Sequence, residues 1–156
     1  MTVTVRLNGR EAALDCDPTE TLAGVLRDQG LASVRETCRI GVCGTCTVLL
    51  DGEPVSACLT MAGQVAGREI TTVEGLGGTD RVQRAFVDAR AFQCGWCTPG
   101  FVLTVKSLLE ERRGRPAPDD REIAAALGGN LCRCGSYVKI REAVRRAATA
   151  IDEGHR

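Results

Sequence analysis

The residues Cys38-Arg39-Ile40-Gly41-Val42-Cys43-Gly44-Thr45-Cys46-Thr47-Val48, CRIGVCGTCTV, set three cysteines within nine positions and run straight into an apolar segment. Such a loop holds a metal, reacts as a thiol or carries electrons, and the choice decides what kind of domain surrounds it. Nine cysteines in 156 residues exceed what packing needs, and an odd count fits poorly with a framework made only of disulfides. A chain of this length holds one average domain or two small ones whose cores are marginal by area alone. A metal staple is the natural expectation.

Upstream of the loop, Val3, Val5 and Leu7 alternate with polar residues, Asn8-Gly9 follows, and a second extended run ends near Asp15; this pattern predicts a β-hairpin. Asp17-Pro18-Thr19-Glu20 supplies a helix N-cap, a proline at the first helical position and an acid at the third. Leu22, Val25 and Leu26 lie behind it on one face, and Gly30 is the expected stop. Downstream come a strand over Thr47 to Leu50, the Asp51-Gly52 turn and a second strand through Val55. Two hairpins flanking a helix predict a small mixed α/β domain.

Glu74-Gly75-Leu76-Gly77-Gly78-Thr79 breaks both periodicities and places a boundary there, giving domains over 1–76 and 77–156. The second half reads as helical. Val82, Ala85, Phe86 and Ala89 form one stripe, and Pro99 opens a helix whose Val102, Val105, Leu108 and Leu109 recur at helical spacing. A short helix is expected from Asp119 to Gly128-Gly129, and a last one through Ile140, Val144, Ala147 and Ile151, making a four-helix domain.

Composition removes several function classes. Twenty basic and twenty acidic residues cancel, and only five residues are aromatic, so neither a phosphate-neutralising surface nor base-stacking platforms are expected. The arginines at 112, 113, 115, 141, 145 and 146 read as solvated helix faces. No run of about 18 apolar residues occurs, so no membrane-spanning segment is expected. The N-terminal residues lack a signal-peptide pattern, which points to the cytoplasm, where clustered thiols more often bind metal than pair.

The cysteines fall into two groups and a remainder. Cys38, Cys43, Cys46 and Cys58 have the C-x4-C-x2-C spacing, with a distant fourth member, of plant-type two-iron, two-sulfide ferredoxins. Gly41 and Gly44 suit a loop that turns its N–H groups inward around such a cluster. A four-cysteine zinc site more often uses two C-x2-4-C knuckles. In the second half, Cys94-Gly95-Trp96-Cys97 pairs with Cys132-Arg133-Cys134 beside predicted helix ends, where thiolates are favoured. Spacing alone leaves zinc, a redox dithiol and a cluster open there. Cys16 stands apart and reads as a packed thiol. The only histidine, His155, excludes a Rieske centre by count and fits zinc-deaminase chemistry badly.

Taken together, CRIGVCGTCTV at 38–48, QCGWCTPG at 93–100 and GNLCRCGSYVKI at 129–140 resemble the iron–sulfur subunit of the xanthine oxidase family of molybdenum hydroxylases. That family includes carbon monoxide dehydrogenase, aldehyde and N-heterocycle oxidoreductases and 4-hydroxybenzoyl-CoA reductase. The resemblance implies an α+β chain: a β-grasp ferredoxin domain, then a helical domain, each with one 2Fe-2S cluster. Cys38, Cys43, Cys46 and Cys58 would hold the first, and Cys94, Cys97, Cys132 and Cys134 the second. It further implies a large partner subunit carrying molybdopterin beside the second cluster, contacted by Gln93 and Cys134, and a medium subunit carrying FAD near the first. Two such heterotrimers would form the assembly, with this chain relaying electrons from molybdopterin to FAD. Thr37, where glycine often precedes the first ligand, and Gly135-Ser136, where Thr-Gly is usual, depart from the family pattern and leave all eight ligands in place. The alternatives to this reading are a free-standing two-cluster ferredoxin and a zinc-stapled interaction module.

Overall fold

The computed structural model describes residues 1–153; His155, and the side chain of Ile151 in the expected last stripe, lie outside the described residues. Strands β1 (Thr2–Leu7) and β2 (Arg10–Asp15) pair antiparallel with Leu7 opposite Arg10. Asn8 and Gly9 between them have φ of 50° and 80°, the doubly left-handed turn that fits the twist of a hairpin. Val3 and Val5 point inward and are buried, while Thr2, Thr4 and Arg6 face solvent, as a period of two requires.

Helix α1 (Leu22–Asp28) begins later than the sequence predicts. Its N-cap is Thr21, whose hydroxyl accepts the Gly24 N–H at 3.2 Å. Asp17 and Glu20 instead close a turn of their own: Asp17 accepts the Thr19 N–H at 2.9 Å, and Glu20 accepts the Asp17 N–H at 3.1 Å. The capping-box pattern is real but caps a turn, because residues 20–22 bridge to 60–62 before the helix begins: the Leu22 N–H donates to the Thr60 carbonyl at 2.7 Å and the Ala62 N–H to the Glu20 carbonyl at 2.9 Å. Gly30, at φ 82°, ends the segment as expected.

Strands β3 (Thr47–Leu50) and β4 (Glu53–Ser56) form the second hairpin around Asp51-Gly52. The hairpins do not pair directly. A three-residue strand that sequence periodicity missed, β5 (Glu69–Thr71), lies between them, parallel to β1 and antiparallel to β3, giving the order β2-β1-β5-β3-β4. Asp51 fixes it in place by accepting the Glu69 N–H at 2.8 Å and the Arg68 Nε at 2.6 Å. One apolar cluster fills this half, from Val3 to Ile70, and includes Cys16, Cys46 and Cys58.

The second half consists of α2 (Arg81–Asp88), α3 (Thr98–Glu111), α4 (Asp120–Leu127) and α5 (Tyr137–Glu153). Helix α4 follows its N-cap Asp119, where the sequence predicts the start, and there Asp119 and Glu122 form a reciprocal capping box that the sequence reading missed, each bond 2.8 Å. The expected α2 stripe is buried in full. Helix α3 differs from expectation: beyond Val102, Val105 and Leu109, it also buries Phe101, Leu103, Thr104 and Ser107. A helix apolar nearly all round sits inside a fold, and α3 packs on β3 along one side and on the other helices along the rest. It is therefore the element that joins the two halves. The arginines at the surface pair with acids: Arg112 with Glu122, Arg113 with Glu110, and Arg145 with Asp120. Among the described residues no helix is long and apolar enough to cross a membrane.

Candidate metal centres

The first cysteine group is built by one loop and one short turn. Cys38 and Cys43 lie on the loop before β3, Cys46 immediately precedes that strand, and Cys58 sits in a 3-10 turn over Ala57–Leu59 after β4. Gly41 and Gly44 have φ of 74° and 67°, the left-handed region expected of them. Both are also wedged: a Cβ at Gly41 would stand 2.3 Å from Leu59 Cδ1, and one at Gly44 2.4 Å from the Gly129 carbonyl oxygen. The loop turns amides onto sulfur, with the Cys43 N–H donating to Cys38 Sγ at 3.4 Å.

The second group comes from helix ends. Cys94 precedes α3 and Cys97 is its N-cap residue, while Cys132 and Cys134 occupy the link from α4 to α5. The Ser136 N–H donates to Cys132 Sγ at 3.4 Å, and the Cys132 N–H donates to the Tyr137 hydroxyl at 2.8 Å. Gln93 donates from Nε2 to the Cys134 carbonyl at 2.9 Å, so the two residues expected to face a pterin are side by side.

Within each set the thiols bear on one another: Cys43 on Cys38, Cys58 and Cys43 on Cys46, Cys134 and Cys132 on Cys94, and Cys132 and Cys94 on Cys97. A two-iron cluster held by four cysteines gives each iron two thiolates. Four cysteines in each set, with the plant-type spacing at the first, fit 2Fe-2S. Ser136 is buried next to Cys132 and turns both its N–H and its hydroxyl toward that sulfur, which suits a ligand thiolate.

Each group has a surface side and a shielded side. The N–H groups of Ile40 and Cys43 pull the Cys38 thiol down to about 6, and the Trp96 N–H and then the Cys134 thiol lower Cys94. Burial pushes Cys46 and Cys97 up to about 12. For Cys132 burial acts upward, but the Ser136 N–H and its neighbours outweigh it and the net shift is down. Inward amides favour thiolate, and thiolate is the form that binds metal.

The two groups are tied together. The Leu131 N–H donates to the Cys43 carbonyl at 3.0 Å, and Asn130 Nδ2 donates to the Gly44 carbonyl at 3.2 Å. Asn130 is itself held by the Thr104 hydroxyl at 3.0 Å, and a Cβ on Gly100 would stand 2.1 Å from the Gly44 oxygen. Arg35 donates to the carbonyls of Gly95 and Trp96 at 2.8 and 2.6 Å. A cavity of about 510 Å³ separates the groups, walled by Cys43, Cys94, Cys97, Cys132, Thr37 and Trp96. Sequence reading missed the roles of Arg35, Gly100, Thr104 and Asn130, although an asparagine after Gly128-Gly129 and two residues before Cys132 was a signal.

A β-sheet loop and a set of helix ends, each presenting paired thiols to inward amides, define a ferredoxin-like iron–sulfur protein. A 2Fe-2S iron-sulfur cluster binding domain matches residues 4–97 and a 2Fe-2S binding domain matches 72–145. The nicotinate dehydrogenase small FeS subunit of Eubacterium barkeri is 45% identical over 151 residues, covering 94% of each chain. The nicotine 6-hydroxylase small subunit of Paenarthrobacter nicotinovorans is 47% identical over 145 residues, covering 91% of this chain and 86% of its own. A chain of quinoline 2-oxidoreductase from Pseudomonas putida 86 superposes with a TM-score of 0.91 at 39% identity, over 99% of this chain and 97% of that one. The chain belongs to the iron–sulfur subunits of the xanthine oxidase family of molybdenum hydroxylases.

Proposed function

We propose that this chain is the electron-transfer subunit of a molybdenum–flavin complex, carrying electrons from a molybdopterin centre to FAD, both on partner subunits. Residues 1–76 form a β-grasp domain whose Cys38, Cys43, Cys46 and Cys58 hold one 2Fe-2S cluster. Residues 77–156 form a four-helix domain whose Cys94, Cys97, Cys132 and Cys134 hold another. When bound, such clusters supply one-electron chemistry at potentials set by burial and by hydrogen bonds to sulfur. This chain supplies both: the inward amides and the shielding of Cys46, Cys58, Cys97 and Cys132.

The observation that carries the reading is the 3.0 Å bond from the Leu131 N–H to the Cys43 carbonyl, which links a residue of the first ligand set to the neighbour of Cys132 in the second. Exposed apolar side chains surround each set. Ile40, Val42, Leu59 and Met61 lie at the first, and Phe92, Trp96 and Leu131 at the second. Such patches mark protein contacts, here the medium FAD subunit at the first site and the large molybdopterin subunit, met by Gln93 and Cys134, at the second. The assembly is a cytoplasmic dimer of heterotrimers, and the large subunit selects the substrate.

The test is Cys43→Ala in the purified complex. One of two cluster signals disappears, molybdenum is still reduced by substrate, and flavin reduction stops. Normal turnover in an assembled variant lacking that signal defeats the relay, and a colourless zinc protein without acid-labile sulfide defeats the cluster assignment altogether.

A further inference from the structure

The two ligand sets meet at a pair of consecutive carbonyls. The Cys43 oxygen accepts the Leu131 N–H at 3.0 Å, and the Gly44 oxygen accepts Asn130 Nδ2 at 3.2 Å. The first bond lies beside the cavity between the sites, since Cys43 and Leu131 both line it. The second is enclosed: Asn130 is 5% exposed, and Thr104, which donates its hydroxyl to Asn130 Oδ1 at 3.0 Å, is 7% exposed. The directions are forced. A backbone carbonyl only accepts, so the amide turns its nitrogen to Gly44 and leaves its oxygen for the Thr104 hydroxyl.

We propose that Asn130 is a positioning residue that fixes the separation of the two clusters, the gap that an electron crosses between them. The inference rests on the ligand assignment proposed above. In that crossing the cluster of the second set is oxidised by one electron and the cluster of the first is reduced by one; no proton or further reactant enters.

Three ligand-bearing segments take their register from this one residue. Thr104 belongs to α3, whose N-cap is Cys97. The Asn130 backbone N–H donates to the Leu127 carbonyl at 3.0 Å, which ties the link carrying Cys132 and Cys134 to the end of α4. Gly44 stands between Cys43 and Cys46, and its oxygen also accepts the Thr47 hydroxyl at 2.8 Å, so Asn130 docks on a carbonyl already anchored at the head of β3. The fit has no slack, because a Cβ on Gly100, one turn before Thr104, would stand 2.1 Å from the same oxygen. A bond beside the cavity can exchange its partner for water at little net cost, whereas a buried amide stripped of its partners carries the full cost of desolvation. Asn130 therefore holds the Leu131 N–H on Cys43, and not the reverse.

The experiment is EPR of the fully reduced, iron-loaded full chain and of its Asn130→Ala, Thr104→Val, Thr104→Ser and Asn130→Ala/Thr104→Val variants, reading the dipolar splitting between the two reduced clusters. Iron and sulfide are counted in each. Asn130→Ala weakens and broadens the splitting at full iron content. Thr104→Val, which frees the amide, does so to a smaller degree; Thr104→Ser restores it, and the double variant falls no further than Asn130→Ala. Val5→Ala, a core loss on β1 away from the junction, lowers the melting temperature and leaves the splitting in place. An unmoved splitting in Asn130→Ala overturns the inference and leaves the ligand assignment standing; where that variant fails to load, an unmoved splitting in Thr104→Val does the same. So does a wild-type chain that holds both clusters without a splitting, or a Val5→Ala splitting that falls as far. A wild-type chain without acid-labile sulfide overturns both.

Discussion

The two cysteine sites solve one chemical problem with different materials. The first draws three of its four cysteines from a single nine-residue loop, and the structure adds Cys58 from a turn beside it. The second assembles two pairs separated by α3 and α4, and neither pair is a site until the helices have packed. Both nevertheless end with a shielded couple and a surface couple. Cys46 and Cys58 are buried in the first, while Cys94 and Cys134 are exposed in the second. A loop that wraps its ligands needs glycine for curvature, whereas ligands on helix ends draw on helix packing and on the free N–H groups of the termini.

That contrast predicts unequal tolerance of glycine replacement. Gly44→Ala combines a left-handed φ with a Cβ 2.4 Å from the Gly129 carbonyl oxygen and 2.5 Å from Asn130 Nδ2, a buried amide held by hydrogen bonds to Thr104 and Gly44. Strain and overpacking together cost roughly 2–5 kcal/mol, so denaturant unfolding shifts strongly and both cluster signals weaken, because the clash lies between the halves. Gly95→Ala in the second site has φ 78° but open space around the Cβ. It costs about 1–2 kcal/mol and keeps both signals. Equal losses from the two variants would erase the distinction.

Thiol chemistry in the metal-free chain should separate the surface couples from the shielded ones. Cys38, lowered to about 6, is thiolate at pH 7.5, whereas Cys46 and Cys97, raised to about 12, are thiols. The low-pKa thiolate is the weaker nucleophile, which offsets part of the advantage, and a rate gap of roughly 10²-fold remains before access is counted. Mass-resolved alkylation reads it, with Cys38 labelling rising through pH 6 and levelling by pH 8. The linkage signs differ accordingly. The stability from Cys38 is present above the ordinary thiol range and lost as pH falls through about 6. That from Cys46 and Cys97 is present below the ordinary range and lost as pH climbs toward 12.

Two amide side chains give a finer version of the comparison. Asn130 is buried and bridges Thr104 to the Gly44 carbonyl, while Gln93 reaches the Cys134 carbonyl at the surface. Asn130→Ala leaves a buried hydroxyl without its partner and costs about 1–3 kcal/mol. Gln93→Ala stays within about 0.5 kcal/mol, and its effect is expected in electron transfer across the proposed contact with a large subunit. Thermal unfolding of both variants, read with the iron content, decides whether the buried amide holds the halves together.

The legible parts of the fold were those with local causes. The Asn8-Gly9 and Asp51-Gly52 turns, the Asp119 start of α4 and the loop glycines announce themselves within a few residues. What stayed hidden depends on partners far along the chain. Glu69–Thr71 is too short to show a period and is a strand only because β1 and β3 bracket it. The start of α1 moved because residues 20–22 bridge to 60–62, about forty residues along the chain. At the sites, all eight cysteines could be grouped from spacing and resemblance. Their pairing, and the residues that clamp one group to the other, required α3 to be seen as a buried strut rather than a one-sided helix.

Arg35 tests that last point at the smallest scale. Its guanidinium holds two carbonyls from the second site's loop and lies over the Trp96 ring, all from a position three residues before Cys38. Lysine keeps the charge but lacks the planar fork and stacks less well, so Arg35→Lys should cost about 1 kcal/mol. The surface pair of Arg145 with Asp120 provides the matched control, since exposed ion pairs contribute about 0–1 kcal/mol and Arg145→Ala touches neither site. If Arg35→Lys also speeds hydrogen exchange at the Leu131 N–H while Arg145→Ala does not, the clamp acts on the junction between the sites rather than on general stability. Equal exchange in the two variants would reduce Arg35 to one more surface arginine.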